Sequence, residues 1–325
     1  MRAGFLSIIV RLKALTAVGL IALAFAHQGQ ADTSPPLRHE INKGVVEIIS
    51  GSATSSSFAM TADIARAATN GNELRVIANV GLGSFQNIQD LLYLRGIDVA
   101  LVNAAVLDFY RDKNIIPGLN LDNHVRYVAP IYGAEFQILA RDDIRTIYDL
   151  NGRKVNFGTA SASANMVASL VFGSLGISPQ VLNDSHPVAI EKLLAGEIDA
   201  ISISTGKPWK AIANIKRSDG VHFLDVPADA ITGSFYPAEL TANDYPNLIA
   251  AGDRVATVSN DLIMAVYNWP VGHPRRINLE RFEKAFFASL DKLREGETYH
   301  PKWRTIDAYR DVPGWRRFES SQPDS

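Results

Sequence analysis

The chain of 325 residues contains no cysteine. This excludes a thiolate nucleophile, zinc ribbons and iron–sulfur clusters. It does not argue against export, because a chain of this length can rest on its core without disulfides. There is also no excess of charge: 32 Lys and Arg face 34 Asp and Glu, a net charge of −2. Nothing in that balance points to a nucleic-acid or anionic-membrane partner. The seven histidines (His27, His39, His124, His186, His222, His273 and His300) are scattered and build no metal-binding spacing. Three of them, His186, His273 and His300, precede proline, a context that favours turns. No Gly-x-Ser-x-Gly elbow occurs, and neither Ser-rich loop carries a Ser-x-x-Lys. Hydrolytic and metal-dependent chemistry are therefore disfavoured; we expect no catalytic residue, no metal and no cofactor.

Long hydrophobic runs are also scarce, with one exception. Ala14 to Ala26, "ALTAVGLIALAFA", is uninterrupted and follows positive charge at Arg2, Arg11 and Lys13. Small residues at Ala24 and Ala26 suit a cleavage site, and Gly29-Gln30-Ala31 offers a later one. The pattern reads as a secretory signal peptide over 1–26, with cleavage as late as 31. The alternative is an uncleaved anchor, although the run is shorter than the ~20 residues a spanning helix needs. Residues 27–36, with Ser34-Pro35-Pro36, follow as a flexible leader. The expected product is an exported protein.

What the chain does have is a regular alternation of short β-rich and helical runs. Strands are expected at 45–49, 74–80, 98–102, 125–131, 136–140, 154–157, 181–182, 198–203, 221–224 and 254–258. Helices are expected at 58–69, 85–94, 104–112, 146–149, 163–175, 187–195, 208–216, 244–250, 262–268 and 278–295. Such alternation predicts βαβ units and a largely parallel sheet, an α/β fold. The clearest amphipathic helix runs from Arg276 to Leu293. Within this pattern the unit at 45–68 resembles that at 154–175. Each passes from a strand through a loop of small hydroxyl residues into a helix: "SGSATSSSFAM" from Ser50 in one, "GTASAS" from Gly158 in the other.

In open α/β sheets ligands bind beyond the carboxyl ends of the strands. The first helical turn there has unpaired N–H groups and the positive end of the macrodipole. Small residues let a ligand approach that backbone, and hydroxyls add donors. The guest would be a carboxylate, phosphate or similar anion; the plain alternative is that the serines only cap the helices. Two further segments share the grammar. One runs from Asn79 to Ala105, with Ser84 at an N-cap position and Asn103 at a strand end. The other runs from Ala189 to Pro208, ending in Ser204-Thr205-Gly206. Asp98 and Asp199 open their strands and read as structural.

The segments "SGSATSSSFAMTADIARAA", "GSFQNIQDLLYLRGIDVALVNAAVLDFY", "YVAPIYGAEFQILARDDIRTIYDLNGRKVNFGTASASANMVASLVFGSLGI" and "LLAGEIDAISISTGKP" follow one another in the order and spacing of a known family. The chain resembles the TAXI-type solute-binding proteins of TRAP transporters, over roughly 40–318. The resemblance implies an α/β, two-lobed periplasmic binding protein fold, type II-like, with the ligand cleft between lobes joined by two crossover strands. Lobe 1 would comprise 37–132 and 262–325, and lobe 2 133–261. It implies a periplasmic, monomeric receptor that closes on a small carboxylate, often an acidic amino acid, and delivers it to a TRAP-type membrane permease. A sensor or adapter role and an ABC-type permease are the alternatives. Carried over by motif, the ligand contacts would be Ser52, Thr54, Ser55 and Ser56 from the opening loop, with Ser84 and Asn103 from lobe 1. Thr159, Ser161, Ser163 and Ser204 would come from lobe 2. Tyr132 matches an aromatic at the crossover, and Tyr236 or Tyr245 would cover the pocket. The opening loop keeps Gly51 but has Ser and Ala where the family usually carries further glycines. Lys207 stands where small or apolar residues are usual; facing the cleft it would favour an anion, and facing solvent it would do nothing. Trp303 and Trp315 are expected to pack the tail onto lobe 1.

Overall fold

A computed structural model describes residues 43–319, Thr54 and Asn72 apart. The expected signal peptide, the leader and the first residues of lobe 1 lie outside the described residues, as does Thr54.

The strands are β1 (Val45–Ile49), β2 (Arg75–Asn79), β3 (Ile97–Asn103), β4 (Val125–Arg141), β5 (Lys154–Asn156), β6 (Gln180–Leu182), β7 (Ala200–Thr205), β8 (Val221–Phe223), β9 (Phe235–Thr241) and β10 (Arg254–Tyr267). The helices are α1 (Ser56–Ala68), α2 (Ser84–Tyr93), α3 (Ala104–Asp112), α4 (Leu121–His124), α5 (Ser163–Ser174), α6 (His186–Leu194), α7 (Pro274–Ala288) and α8 (Leu290–Glu295). Hydrogen bonding orders the sheet β2-β1-β3-β10-β4-β7-β5-β6, with β8 added to β4 and β9 to β10.

Two parallel trios, β2-β1-β3 and β7-β5-β6, lie at either side of this path. Between them run β4 and β10, with 17 and 14 residues. Each is longer than a usual strand of about 5–6 residues because it serves two lobes. Residues 99–103 of β3 pair with 262–266 of β10, while 135–140 of β4 pair with 200–205 of β7. The β4–β10 ladder shifts register between Leu262 and Ile263, beside the Leu262–Tyr132 pair. The chain is thus a two-lobed α/β protein joined by two antiparallel crossover strands. Several expectations need correction here. The sheet is mixed rather than largely parallel, because the crossover strands and the added β8 and β9 pair antiparallel. The strands expected at 125–131 and 136–140 are one, β4, and the helices expected at 146–149 and 208–216 are short 3-10 turns, Ile147–Leu150 and Lys210–Ile212. The 262–268 segment is the second half of β10, and no helix forms over 244–250, where the backbone turns. Strand β9 was not foreseen.

Burial explains the element types. On β3 all seven residues are buried, so its sequence shows no alternation. Helix α1 buries Met60 and Ile64 against Leu279, Phe282 and Phe286 of α7, under the outer face of lobe 1. In lobe 2, Leu139, Ile201 and Ile203 pack with Ala189 and Leu193 of α6. A third cluster continues from Tyr110 and Leu107 of lobe 1 to Phe136 and Phe172 of lobe 2. The tail packs as expected: Trp303 is fully buried and donates Nε1–H to Asp63 at 3.0 Å, and buried Trp315 donates to Asp108 at 3.0 Å.

Candidate functional site

Every parallel strand of both lobes ends toward the same gap, so the loops that follow converge. They enclose a cleft of about 540 Å³, within the range of small-molecule sites. Lobe 1 contributes Gly51, Ser52 and Ser55–Ser57 after β1, Gly81–Gly83 after β2 and Asn103 at the end of β3. Lobe 2 contributes Thr159 and Ser161–Ser163 after β5, Ser185–Pro187 after β6, and Ile203–Thr205, Trp209 and Ala211 around the end of β7. Tyr132, Ala134 and Leu262 form the floor at the crossover.

Five helices begin at these walls: α1, α2, α3, α5 and α6. Only α1 has a side-chain cap, Ser55, whose Oγ accepts from Phe58 N–H at 3.2 Å. The starts of α2, α3, α5 and α6, at Gly83, Asn103, Ala162 and Ser185, have no side-chain cap. Apart from Ser84 N–H of α2, which is taken by Ser163 Oγ, their first turns keep donor capacity, and the aligned peptide dipoles add positive potential. The Ser204 hydroxyl at the end of β7 is buried without a hydrogen-bond partner, one more donor on this wall. No Asp, Glu, Lys or Arg lies among the lining residues.

The lobes also meet directly. Ser84 N–H donates to Ser163 Oγ at 2.6 Å, and the two hydroxyls lie 2.9 Å apart. Ser84 Oγ in turn donates to Asn103 Oδ1 and accepts from Asn103 N–H, both at 2.9 Å. Asn103 Nδ2 passes the chain on to Asn260 Oδ1 of β10 at 2.7 Å. Gly83 makes this approach possible. Its φ is +131°, and a Cβ there would stand 2.7 Å from Ser161 O and 2.8 Å from Ser163 N.

Of the residues singled out from sequence, Ser52, Ser55, Ser56, Asn103, Tyr132, Thr159, Ser161, Ser163 and Ser204 line this cleft. Ser84 sits one bond behind it. Lys207 does not reach it: its Nζ donates to Glu239 O at 2.6 Å and pairs with Asp244 at 3.0 Å. Tyr236 lines a different cavity, of about 260 Å³, behind the crossover, where it donates to Asp261 Oδ1 at 2.8 Å. Tyr245 is buried, donates to Gln137 Oε1 at 2.6 Å and accepts from Trp209 N–H at 2.8 Å. It therefore fixes the Trp209 loop rather than covering the pocket. Sequence reading missed His186 and Trp209, whose rings meet edge-on with centroids 5.2 Å apart. The one signal for them was position, at the two remaining strand ends of lobe 2. Burial pushes the His186 imidazole pKa below its usual range and so disfavours its charged form.

A two-lobed α/β clamp with crossover strands and a cleft at the strand ends defines the architecture of periplasmic solute-binding proteins. The chain belongs to the NMT1-like family, whose model matches residues 48–245, a stretch that holds every lining residue except Leu262. No curated protein matches. Among solved structures, the chain is similar to an ancestral arginine-binding protein bound to arginine, at 17% identity and TM-score 0.46, covering 81% of this chain and 97% of that one. It is also similar to an amino acid ABC transporter substrate-binding protein from Streptococcus pneumoniae bound to L-arginine. There the identity is 12% and the TM-score 0.44, with 82% and 94% covered. Among the described residues no helix is long and apolar enough to cross a membrane.

Proposed function

We propose that this protein is an exported receptor that captures a small carboxylate between its lobes and hands it to a membrane permease of TRAP type, by binding and closure without chemistry. The observation that carries the reading is the convergence of five helix N-termini and two serine-rich loops on one cleft whose lining has no carboxylate. Such a surface favours an anion through N–H and hydroxyl donors alone. The extracytoplasmic setting rests on the signal-peptide pattern, and the TRAP assignment on the order of loops after β1, β2, β5 and β7. A permease that co-purifies with the tagged protein, or whose gene adjoins its own, decides between a TRAP-type and an ABC-type partner.

The direct test is a thermal-shift screen against acidic amino acids, dicarboxylates, 2-oxo acids, phosphate and sugars. A solute at 100 times its Kd stabilises by about 2.7 kcal/mol, a shift of several degrees. The control is Ser56→Trp. Ser56 lines the cleft at the first position of α1, while the cap itself is Ser55. The expected result is a carboxylate-selective shift that Ser56→Trp abolishes with the melting temperature of the free protein little changed. Selective stabilisation by sugars, or a shift that survives Ser56→Trp, would remove this cleft from consideration.

A further inference from the structure

The composition of the walls narrows the solute further. An amino acid brings an ammonium group as well as a carboxylate. In this cleft the ammonium would find no Asp or Glu among the lining residues. It would instead face the positive ends of five helices, and the hydroxyl oxygens of the walls could accept its hydrogen bonds but not offset its charge. A dicarboxylate fares little better, because no Lys or Arg lines the cleft and burial disfavours a charged His186. Helix ends and hydroxyls suffice for one anionic group.

The rest of the cleft is built for an apolar body. Pro187, Ile203, Trp209 and Ala211 form an apolar patch of the lobe 2 wall, beside the polar Ser204 and Thr205, and Tyr132, Ala134 and Leu262 form the floor. The Trp209 ring is not a mobile cover. Its backbone N–H is held by Tyr245 Oη, its ring rests against His186, and Tyr245 is itself tied to Gln137 on β4. An aromatic wall fixed from behind costs little to organise when a flat ligand docks.

Resting on the receptor reading above, we propose that the solute is a monocarboxylate without an amino group whose body is aromatic or otherwise flat and apolar, the class of aryl 2-oxo acids and arylacetates. The serine loops after β1 and β5 take the carboxylate, and the Trp209–His186 wall takes the ring.

The test uses the protein unfolded in guanidinium and refolded, which strips any retained solute, titrated calorimetrically with four probes. Phenylpyruvate has both parts. L-Phenylalanine keeps the ring and adds the ammonium, pyruvate lacks the ring, and L-glutamate carries two carboxylates and an ammonium. Phenylpyruvate is expected to bind at least about tenfold more tightly than each of the others, the scale of one unpaired buried charge or one lost aromatic contact. Trp209→Ala should weaken phenylpyruvate by about tenfold and leave pyruvate unchanged. L-Phenylalanine, L-glutamate or pyruvate binding as tightly as phenylpyruvate would overturn the proposal and leave the receptor reading standing. Binding of none of the four would overturn it too. In that case the receptor reading survives only if another compound of the thermal-shift panel gives a response that Ser56→Trp abolishes.

Discussion

Asp98 opens β3 and is buried against β1, where its carboxylate accepts Glu47 N–H at 3.1 Å and meets Arg275 at 3.3 Å. Burial outweighs both contacts and pushes its pKa up to about 6, well above the ordinary aspartate range. The folded state therefore holds this proton more tightly than the unfolded chain does. The group contributes fully to stability below pH 4, and that contribution is lost as pH rises from about 4 to about 6. A rise of that size corresponds to roughly 3 kcal/mol. Asp98→Asn keeps an acceptor for Glu47 N–H and cannot ionise. Urea unfolding at pH 4 and pH 7 should show the variant gaining on the parent by up to about 3 kcal/mol across that interval. A pH-independent difference would mean that the Arg275 pair keeps Asp98 ionised throughout. At this scale the sequence was legible where a residue's task is local. Asp98 and Asp199 read as strand-start residues, and each accepts the backbone N–H of a neighbouring strand, Glu47 in one lobe and Lys154 in the other. Lys207 was not legible, because its partner Asp244 lies 37 positions away and nothing local says which way the side chain turns.

Elements were readable where period or composition is distinctive. The opening βα units fall within a residue or two of expectation, since their strands end in small polar loops. The segment "DLIMAVYN" from Asp261 did not read as strand. It continues β10 through the middle of the sheet, buried on both faces, so the alternation that marks a half-exposed strand is missing. The expected Arg276–Leu293 helix is two helices, α7 and α8, separated at Ser289, whose Oγ donates to Phe286 O at 2.8 Å. A side chain bonding back to the preceding turn bends or interrupts a helix. The tail after α8 depends on one carboxylate of α1: Asp63 accepts His300 N–H at 2.7 Å and Trp303 Nε1–H at 3.0 Å, and pairs with Arg66 at 2.6 Å. Asp63→Ala leaves a buried indole donor and a backbone donor unsatisfied and should destabilise by about 2–4 kcal/mol. Trp303→Gln, by contrast, would empty the core around Phe286 and should cost about 3–5 kcal/mol, as for other large-to-small core changes. Equilibrium urea unfolding measures both. A near-neutral Asp63→Ala would mean that apolar contact alone seats the tail.

At the scale of the whole molecule the two lobes are joined by the contact between Ser84 and Ser163. Helix α5 of lobe 2 also touches α2 and α3 of lobe 1, so the serine pair lies at the edge of a wider lobe–lobe surface. The apolar part of that surface is non-directional, while the serine pair is directional. It ties the start of α2 to the start of α5, and the buried chain from Ser84 through Asn103 to Asn260 carries the tie into the crossover strand. Such a contact contributes about 1 kcal/mol net, since in the open form the Ser163 hydroxyl and the Ser84 N–H turn to water instead. Ser163→Ala should therefore shift the closed-to-open ratio about fivefold toward open. Ser84→Ala keeps the backbone N–H bond to Ser163 Oγ and removes the hydroxyl–hydroxyl bond together with those to Asn103, which lie within lobe 1 and stay made in both forms. The double variant should then open no further than the more open single one, a coupling of about 1 kcal/mol. The cysteine-free sequence makes the measurement direct, because thiols introduced at the exposed positions Tyr93 of lobe 1 and Tyr148 of lobe 2 accept a donor and an acceptor dye without competition. Single-molecule energy transfer between them reports the ratio with no solute needed. Additive opening in the double variant would mean that the two serines act separately, and that closure is held by the α5 packing alone.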